Sequence, residues 1–385
     1  MKHTCLYIIT LFFFLIGLSA CRGEESIGQP ILSDDLGDGL FLSLYLPKAG
    51  TRAVSEDAVN DIYAFYFEPS GGNMVCTKYE KLTDKVLDSN SVPNYKLTNY
   101  PTGSNIDIIF IANLENNVDL TNIASWVGEK DTDLMKNKFL VTHTSAVWQP
   151  GSSNEYLPMY TRAQKLTIPT SLSPGVNYIV EKNSPTTTEG SATVYKLIRM
   201  VAKIEIENHL ADLNGNLKLN ISSTSVAVEK GNLSGFICNN TTVGTTERVT
   251  EPTLTIDGTS IGSVGSGSTS AGTMTTSSDG KMQTLVFYLF ETGVVDATDV
   301  KSDDNCRIVF SATIGDDTTP SDFMLPIPKV DTSTLAADLT TPGGVLRNHY
   351  YKYVIKGVPD VQEIKIEFKV SVIDWTPANA DVTII

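Results

Sequence analysis

Charge is scarce in this chain and catalytic patterning is scarcer. Only 19% of its 385 residues are charged, a low share for a cytosolic enzyme. The 29 basic side chains are outnumbered by 44 acidic ones, and the net charge of −15 repels a polyanion, which argues against nucleic-acid binding. There are four histidines, His3, His143, His209 and His349, and none lies in an HExxH pattern. No GxSxG, P-loop or GxGxxG is present. His349 reads as a structural residue at the entry to a strand. The adjacent acids Asp303-Asp304 and Asp316-Asp317 sit in polar turn sequence without EF-hand spacing. Cysteines number five and form no CxxC. Cys76, Cys238 and Cys306 are widely spaced with no nearby histidine, so buried free thiols are expected in place of a zinc site or a disulfide framework. These gaps leave no nucleophile–base pair, metal site or cofactor motif, and the expectation is a protein that is not an enzyme.

The N-terminus carries the clearest segment. Lys2 and His3 precede an uncharged apolar run, Leu6 to Leu18, too short to span a bilayer comfortably and suited to the core of an export signal. The run ends in Leu18-Ser19-Ala20-Cys21, which resembles a bacterial lipobox. Small residues there admit a peptidase, and the Cys21 thiol is the group able to carry a thioether lipid. Two or three acyl chains would hold the chain firmly to a membrane.

Helical periodicity is sparse. Short helices are expected only at Ser55 to Asn60 and within Asp119 to Lys138. Elsewhere apolar residues alternate with polar ones at the period of a strand. Leu40, Leu42, Leu44 and Leu46 share one face of a strand that follows a Gly-, Asp- and Ser-rich tether. Ile62 to Phe67 reads as a strand followed by the turn Ser70-Gly71-Gly72-Asn73, and the nearly continuous apolar run Ile106 to Ala112 reads as a central strand. Further strands are expected at Leu197 to Ile206, Leu285 to Phe290, Ile308 to Ile314, Tyr350 to Lys356 and Ile364 to Val372. Residues 257–280, almost all Gly, Ser and Thr, read as a flexible loop. Two β-sandwiches account for this pattern, with a boundary near residues 185–195. The division expected is a signal peptide over 1–20, a lipidated prosegment containing the first strand over 21–52, an N-terminal sandwich over 53–190 and a C-terminal sandwich over 191–385.

Four features together resemble the fimbrillin, or type V pilin, family of Bacteroidetes. They are the lipobox Cys21 with a prosegment ending at Thr51-Arg52-Ala53, the stretch Leu157-Pro158-Met159-Tyr160, the strand Leu197-Ile198-Arg199-Met200-Val201-Ala202-Lys203-Ile204, and Leu346-Arg347-Asn348-His349-Tyr350-Tyr351 followed by Val372-Ile373-Asp374-Trp375. Each motif is short, but their order covers nearly the whole chain. The resemblance implies two transthyretin-like β-sandwich domains and export to the outer membrane as a lipoprotein. It also implies an arginine-specific protease that cuts after Arg52, leaving Ala53 as the new N-terminus and removing the strand with Leu40, Leu42, Leu44 and Leu46. A neighbouring pilus subunit would then supply a replacement strand. An arginine in a loop suits such a protease, whereas Arg162, also followed by alanine, is expected in folded structure. In the C-terminal stretch 378–385, Ala378, Ala380, Val382 and Ile384 share one face. This tail reads equally as a donor strand for a neighbour and as the last strand of its own sandwich.

The expectation is therefore a structural subunit of a surface pilus, localised to the outer membrane and the fimbriae. Its partners would be other pilus subunits, the protease, and the membrane through the lipid. A host or bacterial surface ligand is a further partner class. Alternatives are an anchor or tip subunit of the same pilus and, from another class, a surface glycan-binding lipoprotein, which would need exposed platforms from Trp126, Trp148 and Trp375.

Overall fold

The computed structural model describes residues 37–45, 59–83, 85–87, 93–143, 145–148, 156–188, 191–209, 219–222, 225–238, 255–256, 259–260, 268–331, 334–356 and 367–374. The fold is all-β. Its helical content among the described residues is slight: a 3-10 turn at Ile123–Trp126 and one short helix, α1, at Asp131–Asn137, both inside the expected segment. The helix expected at Ser55 to Asn60 lies mostly outside the described residues, and Asn60 itself is not helical.

Four larger sheets are stacked in two pairs. The first sheet takes β1 (Gly39–Tyr45), β4 (Lys85–Leu87), β5 (Pro93–Leu97), β10 (Val176–Tyr178) and β11 (Val194–Lys196). The second takes β2 (Ile62–Ser70), β3 (Asn73–Lys81), β6 (Gly103–Ala112), β9 (Met159–Ile168) and β12 (Ile198–Arg199). Alternation along β2 and β6 explains their packing. Ile62, Ala64, Tyr66, Ile106, Ile108, Phe110 and Ala112 face the first sheet, where they meet Leu40, Leu42 and Leu44. Tyr63, Phe65, Phe67, Ile109 and Ile111 face the other way, onto Trp126, Phe139 and α1. Because both faces are covered from Ile106 onward, β6 is apolar from there to Ala112 apart from Asp107, as a central strand must be. Gly71 and Gly72 turn the chain between β2 and β3 with φ of 58° and 84°, values that glycine adopts without steric penalty.

The second half repeats the stacking. A third sheet takes β8 (Val147–Trp148), β13 (Val201–Asn208), β20 (Thr275–Thr276), β21 (Gln283–Phe290), β26 (His349–Lys356) and β27 (Glu367–Asp374). A fourth takes β14 (Leu219–Ile221), β15 (Ala227–Glu229), β19 (Ser268–Ser270), β22 (Arg307–Ile314) and β23 (Ser321–Pro326). Ala202, Ile204, Ile206, Phe287, Tyr351 and Tyr353 of one sheet enclose a core with Ile221, Val228, Ile308 and Phe310 of the other. Two minor hairpins, β17–β18 (Thr255–Ile256, Thr259–Ser260) and β24–β25 (Pro328–Val330, Ala337–Pro342), complete the described strands apart from one further pair.

That pair, β7 (Leu140–Thr142) with β16 (Ser234–Phe236), crosses the middle of the chain. So does β8, which pairs with β21 through Trp148↔Tyr288 and Val147↔Leu289. A third core fills the seam, where Phe65, Trp126, Phe139 and Trp148 pack with Met200, Phe236, Tyr288 and Phe290. Gly235 is required here, since a Cβ at that position would stand 2.5 Å from Phe290 Cδ1.

Two expectations need correction. Leu197 to Ile206 is not one strand: Ile198 and Arg199 pair with β9, and the chain changes sheets at Met200 before Val201 joins β21 and then β26. Met200 N–H donates to Pro158 O at 3.1 Å, so the backbone turns where one half hands over to the other. Residues 257–280 are not wholly loop, because Ser268–Ser270 pairs with β15 and Thr275–Thr276 with β21, both as edge strands that Ser and Thr can occupy without an apolar face.

Candidate assembly site

β1, the first strand among the described residues, lies in the interior of its sheet. β1 runs antiparallel to β5, with Leu40↔Leu97, Leu42↔Tyr95 and Ser43↔Asn94 in register. On its other edge it runs parallel to two strands in succession, β10 along Gly39 to Phe41 and β11 along Ser43 to Tyr45. Two backbone bonds flank this edge: Gly39 N–H donates to Gly175 O at 3.2 Å, and Ile179 N–H donates to Phe41 O at 3.0 Å. Taking β1 away would divide the sheet and leave two rows of backbone donors and acceptors facing an empty lane.

Both faces are covered as well. Leu40, Leu42 and Leu44 are each 0% exposed against the second sheet. Phe41 packs on the opposite face with Tyr178, and Val176 and Ala192 lie against them. Ser43 Oγ–H donates to Asn94 Oδ1 at 2.5 Å, and both residues are buried. Lys96 Nζ stands 5.9 Å from the centre of the Phe41 ring. Two buried tyrosines stand among the partners of β1, and burial raises Tyr95 to about 12. Burial first, and then the Glu181 carboxylate that accepts its hydroxyl at 2.7 Å, push Tyr195 above its ordinary range.

The remaining sequence-derived positions fall in three groups. Cys21, Leu46, Arg52, Ala53, Ala378, Ala380, Val382, Ile384 and Trp375 lie outside the described residues. Arg162 is buried in β9, with Nη2 2.7 Å from Asp107 Oδ2 and 2.9 Å from Asp131 Oδ2, so its backbone is held extended within a sheet and is a poor protease substrate. Arg199 and Arg347 are buried too. Cys76, Cys238 and Cys306 are buried free thiols, and burial raises Cys76 and Cys306 to about 12. Trp126 and Trp148 are 2% and 3% exposed, so neither forms the surface platform that a glycan-binding role requires. His349 is buried at the start of β26, with Nδ1 2.6 Å from Arg347 O. Among the described residues no group of side chains could hold a metal ion, and no helix is long and apolar enough to cross a membrane.

Three of the four motifs meet at the seam, a convergence that spacing along the chain does not reveal. Ile198 and Arg199 pair with Tyr160 and Met159. Arg199 N–H donates to Asn348 Oδ1 at 3.3 Å, and Asn348 N–H donates to Val201 O at 2.9 Å. The Arg347 guanidinium stands 5.8 Å from the centre of the Tyr160 ring, ion-pairs with the buried Glu291 and donates to Ile237 O at 3.0 Å.

The geometry defines an all-β protein of stacked sandwiches whose first sheet is closed from within by its own N-terminal strand. Its fold is the one found in fimbrial proteins of Bacteroidetes. The chain is similar to the tip fimbrial protein Mfa3 from Porphyromonas gingivalis, at 18% identity and a TM-score of 0.50 over 87% of this chain and 99% of that one. It also aligns with a fimbrial assembly protein from Parabacteroides distasonis (14% identity, TM-score 0.47, 87% and 98% covered). A third alignment is with the fimbrilin FimA from Porphyromonas gingivalis (14% identity, TM-score 0.47, 89% and 99% covered). No protein-family model matches the chain, and no curated protein matches it in sequence.

Proposed function

We propose that this protein is a structural subunit of a bacterial surface pilus, with no enzymatic activity of its own. It is exported as a lipoprotein on Cys21, cut after Arg52 and polymerised when residues 378–385 of a neighbour fill the lane vacated by β1. The observation that carries this reading is the position of β1: three leucines wholly in the core of a strand paired on both edges, in a segment that precedes Arg52 in the sequence. Each leucine returned to water costs about 1.5–3 kcal/mol, and the bared backbone adds to that. A clipped subunit is thereby driven to accept a strand, which is how sheet edges recruit partners. The two-sandwich division of the chain and the outer-membrane and fimbrial location belong to the same proposal.

Mass spectrometry of assembled fibres is expected to find Ala53 as the N-terminal residue, and deletion of 378–385 is expected to abolish fibre growth while leaving the subunit folded. Fibres that retain residues 40–46 would overturn the reading. The deletion also separates the stalk role from a tip or anchor role, since a terminal subunit that donates no strand tolerates the loss. The fold shared with a tip fimbrial protein makes that second role the one to set against the first.

A further inference from the structure

Among the described residues, β1 is the one strand that joins the two sides of the first sheet. β5 pairs with β1 and β4, while β10 and β11 pair with β1 and with no other named strand. The sheet is thus two panels, β4–β5 and β10–β11, with β1 between them. Each panel is also tied to the second sheet by a carboxylate, and the two ties fall towards opposite sides of that sheet.

Glu80 serves the β5 panel. It lies on β3, the last strand of the second sheet on that side. Its Oε2 accepts Thr98 N–H at 3.0 Å, the Thr98 hydroxyl at 2.5 Å and Asn99 N–H at 3.2 Å, and its Oε1 accepts the hydroxyl of the buried Tyr66. Thr98 directly follows Leu97, where β5 ends. Asn99 Nδ2 donates to Tyr79 O and Lys78 Nζ to Tyr100 O, each at 3.0 Å, so the chain leaving β5 is laid along β3.

Glu181 serves the other panel. It lies between β10 and β11, where Thr193 N–H donates to Ile179 O at 3.0 Å and Glu181 N–H to Thr193 Oγ1 at 2.9 Å. Its Oε2 accepts the Tyr195 hydroxyl at 2.7 Å, and its Oε1 accepts Gln164 N–H of β9 at 3.2 Å. β12 pairs with β9 only at Met159 and Tyr160. Farther along β9, Gln164 finds its acceptor in Glu181, and Thr167 N–H finds one in Asn183 O at 3.3 Å. Apolar packing follows the same division. Tyr95 and Leu97 of one panel and Ile179 and Tyr195 of the other each enter the core shared with the second sheet.

We propose that the first sheet is two separately anchored panels, one held by Glu80 to β3 and the other by Glu181 to β9. The second sheet, and not β1, then sets the width of the lane between them. Carboxylates gripped by backbone N–H and hydroxyl donors make strong local ties. Glu80 and Glu181 are positioning residues for the banks of the lane. This inference deepens the reading above by naming what holds those banks. Its test involves no cleavage and no second copy, so it stands or fails apart from that reading.

Hydrogen exchange on the uncut, full-length protein supplies the test. Glu80→Ala is expected to speed exchange about tenfold at the amides of Asn94 to Asn99 and to leave those of Asn177 to Ile179 and Tyr195 unchanged, and Glu181→Ala to do the reverse. A role in general stability alone would raise exchange in every strand alike. Should removal of either carboxylate prevent folding, the milder Asn99→Ala and Tyr195→Phe variants are expected to show the same reciprocal pattern at about threefold. Variants that loosen both panels together overturn the proposal in favour of a sheet held as one by β1. Variants that leave both panels at the wild-type rate overturn the assignment of the two anchors.

Discussion

Arg347 is among the most deeply buried charges of the described residues. It is 1% exposed, its ion-pair partner Glu291 is 2% exposed, and it lies across the Tyr160 ring where the two halves meet. Burial alone would lower its affinity for a proton, but the Glu291 carboxylate more than offsets this and the guanidinium stays charged. Replacing it with methionine strands the carboxylate, and Arg347→Met is expected to destabilise the protein by about 3–5 kcal/mol in denaturant titrations. A loss under 1 kcal/mol would show that the seam does not depend on the pair. Glu207 offers a contrast on the outer face of β13. Burial would raise its carboxyl, yet bonds from Lys352 Nζ at 2.7 Å and from its other neighbours hold it down at about 2. A carboxylate depressed in the folded state contributes stability above its unfolded pKa, near 4.5, and loses it as pH falls towards 2. Glu207→Gln is therefore expected to flatten the acid limb of the stability curve between these values and to leave the melting profile below pH 2 unchanged. Of these residues, the sequence marks Arg347 only as part of a motif. Its contact with Tyr160 is invisible there because the partner is almost two hundred positions away, and Glu291 carries no local signal at all.

At the scale of elements, alternation made most strands legible. β2, β6, β21, β22 and β26 appear where period two or a continuous apolar run predicts them. The failures share a cause. Leu197 to Ile206 alternates without a break, yet the backbone changes sheets at Met200, because the hand-over is set by tertiary bonds to Pro158 and Asn348 that periodicity does not encode. β19 and β20 were hidden in Ser- and Thr-rich sequence because edge strands need no apolar side. β1 was visible as a leucine face, but its central place between β5 and the β10–β11 edge was not, since strand order is a property of the assembled sheet. Leu42→Ala tests the element directly. The chain is expected to lose about 2–5 kcal/mol of stability in denaturant titrations. A loss under about 1 kcal/mol would show that Leu42 contributes little to the core between the first two sheets.

The whole molecule is stitched rather than beaded. β7 pairs with β16 and β8 with β21, so two strands from the first half of the chain are completed by strands of the second. Phe65, Trp126 and Trp148 share one core with Met200, Tyr288 and Phe290. A chain ending after residue 199 would bare that surface, and such a fragment is expected to bind the dye ANS strongly and to aggregate, whereas the full chain melts in one transition. A fragment that behaves as a compact, dye-silent monomer would show the halves to be separable.

The flanked lane of β1 has a mechanical corollary. A ribbon gripped along both margins, when tugged lengthwise, must slide past all of its cross-links together, whereas one peeled from a free margin surrenders them singly. In the filament proposed above, joints built on such a lane would resist stretching at every junction at once, and the seam of stitched strands would carry the load onward through each subunit. Tension from flow over a cell surface would then fall on the strongest direction the fold has to offer.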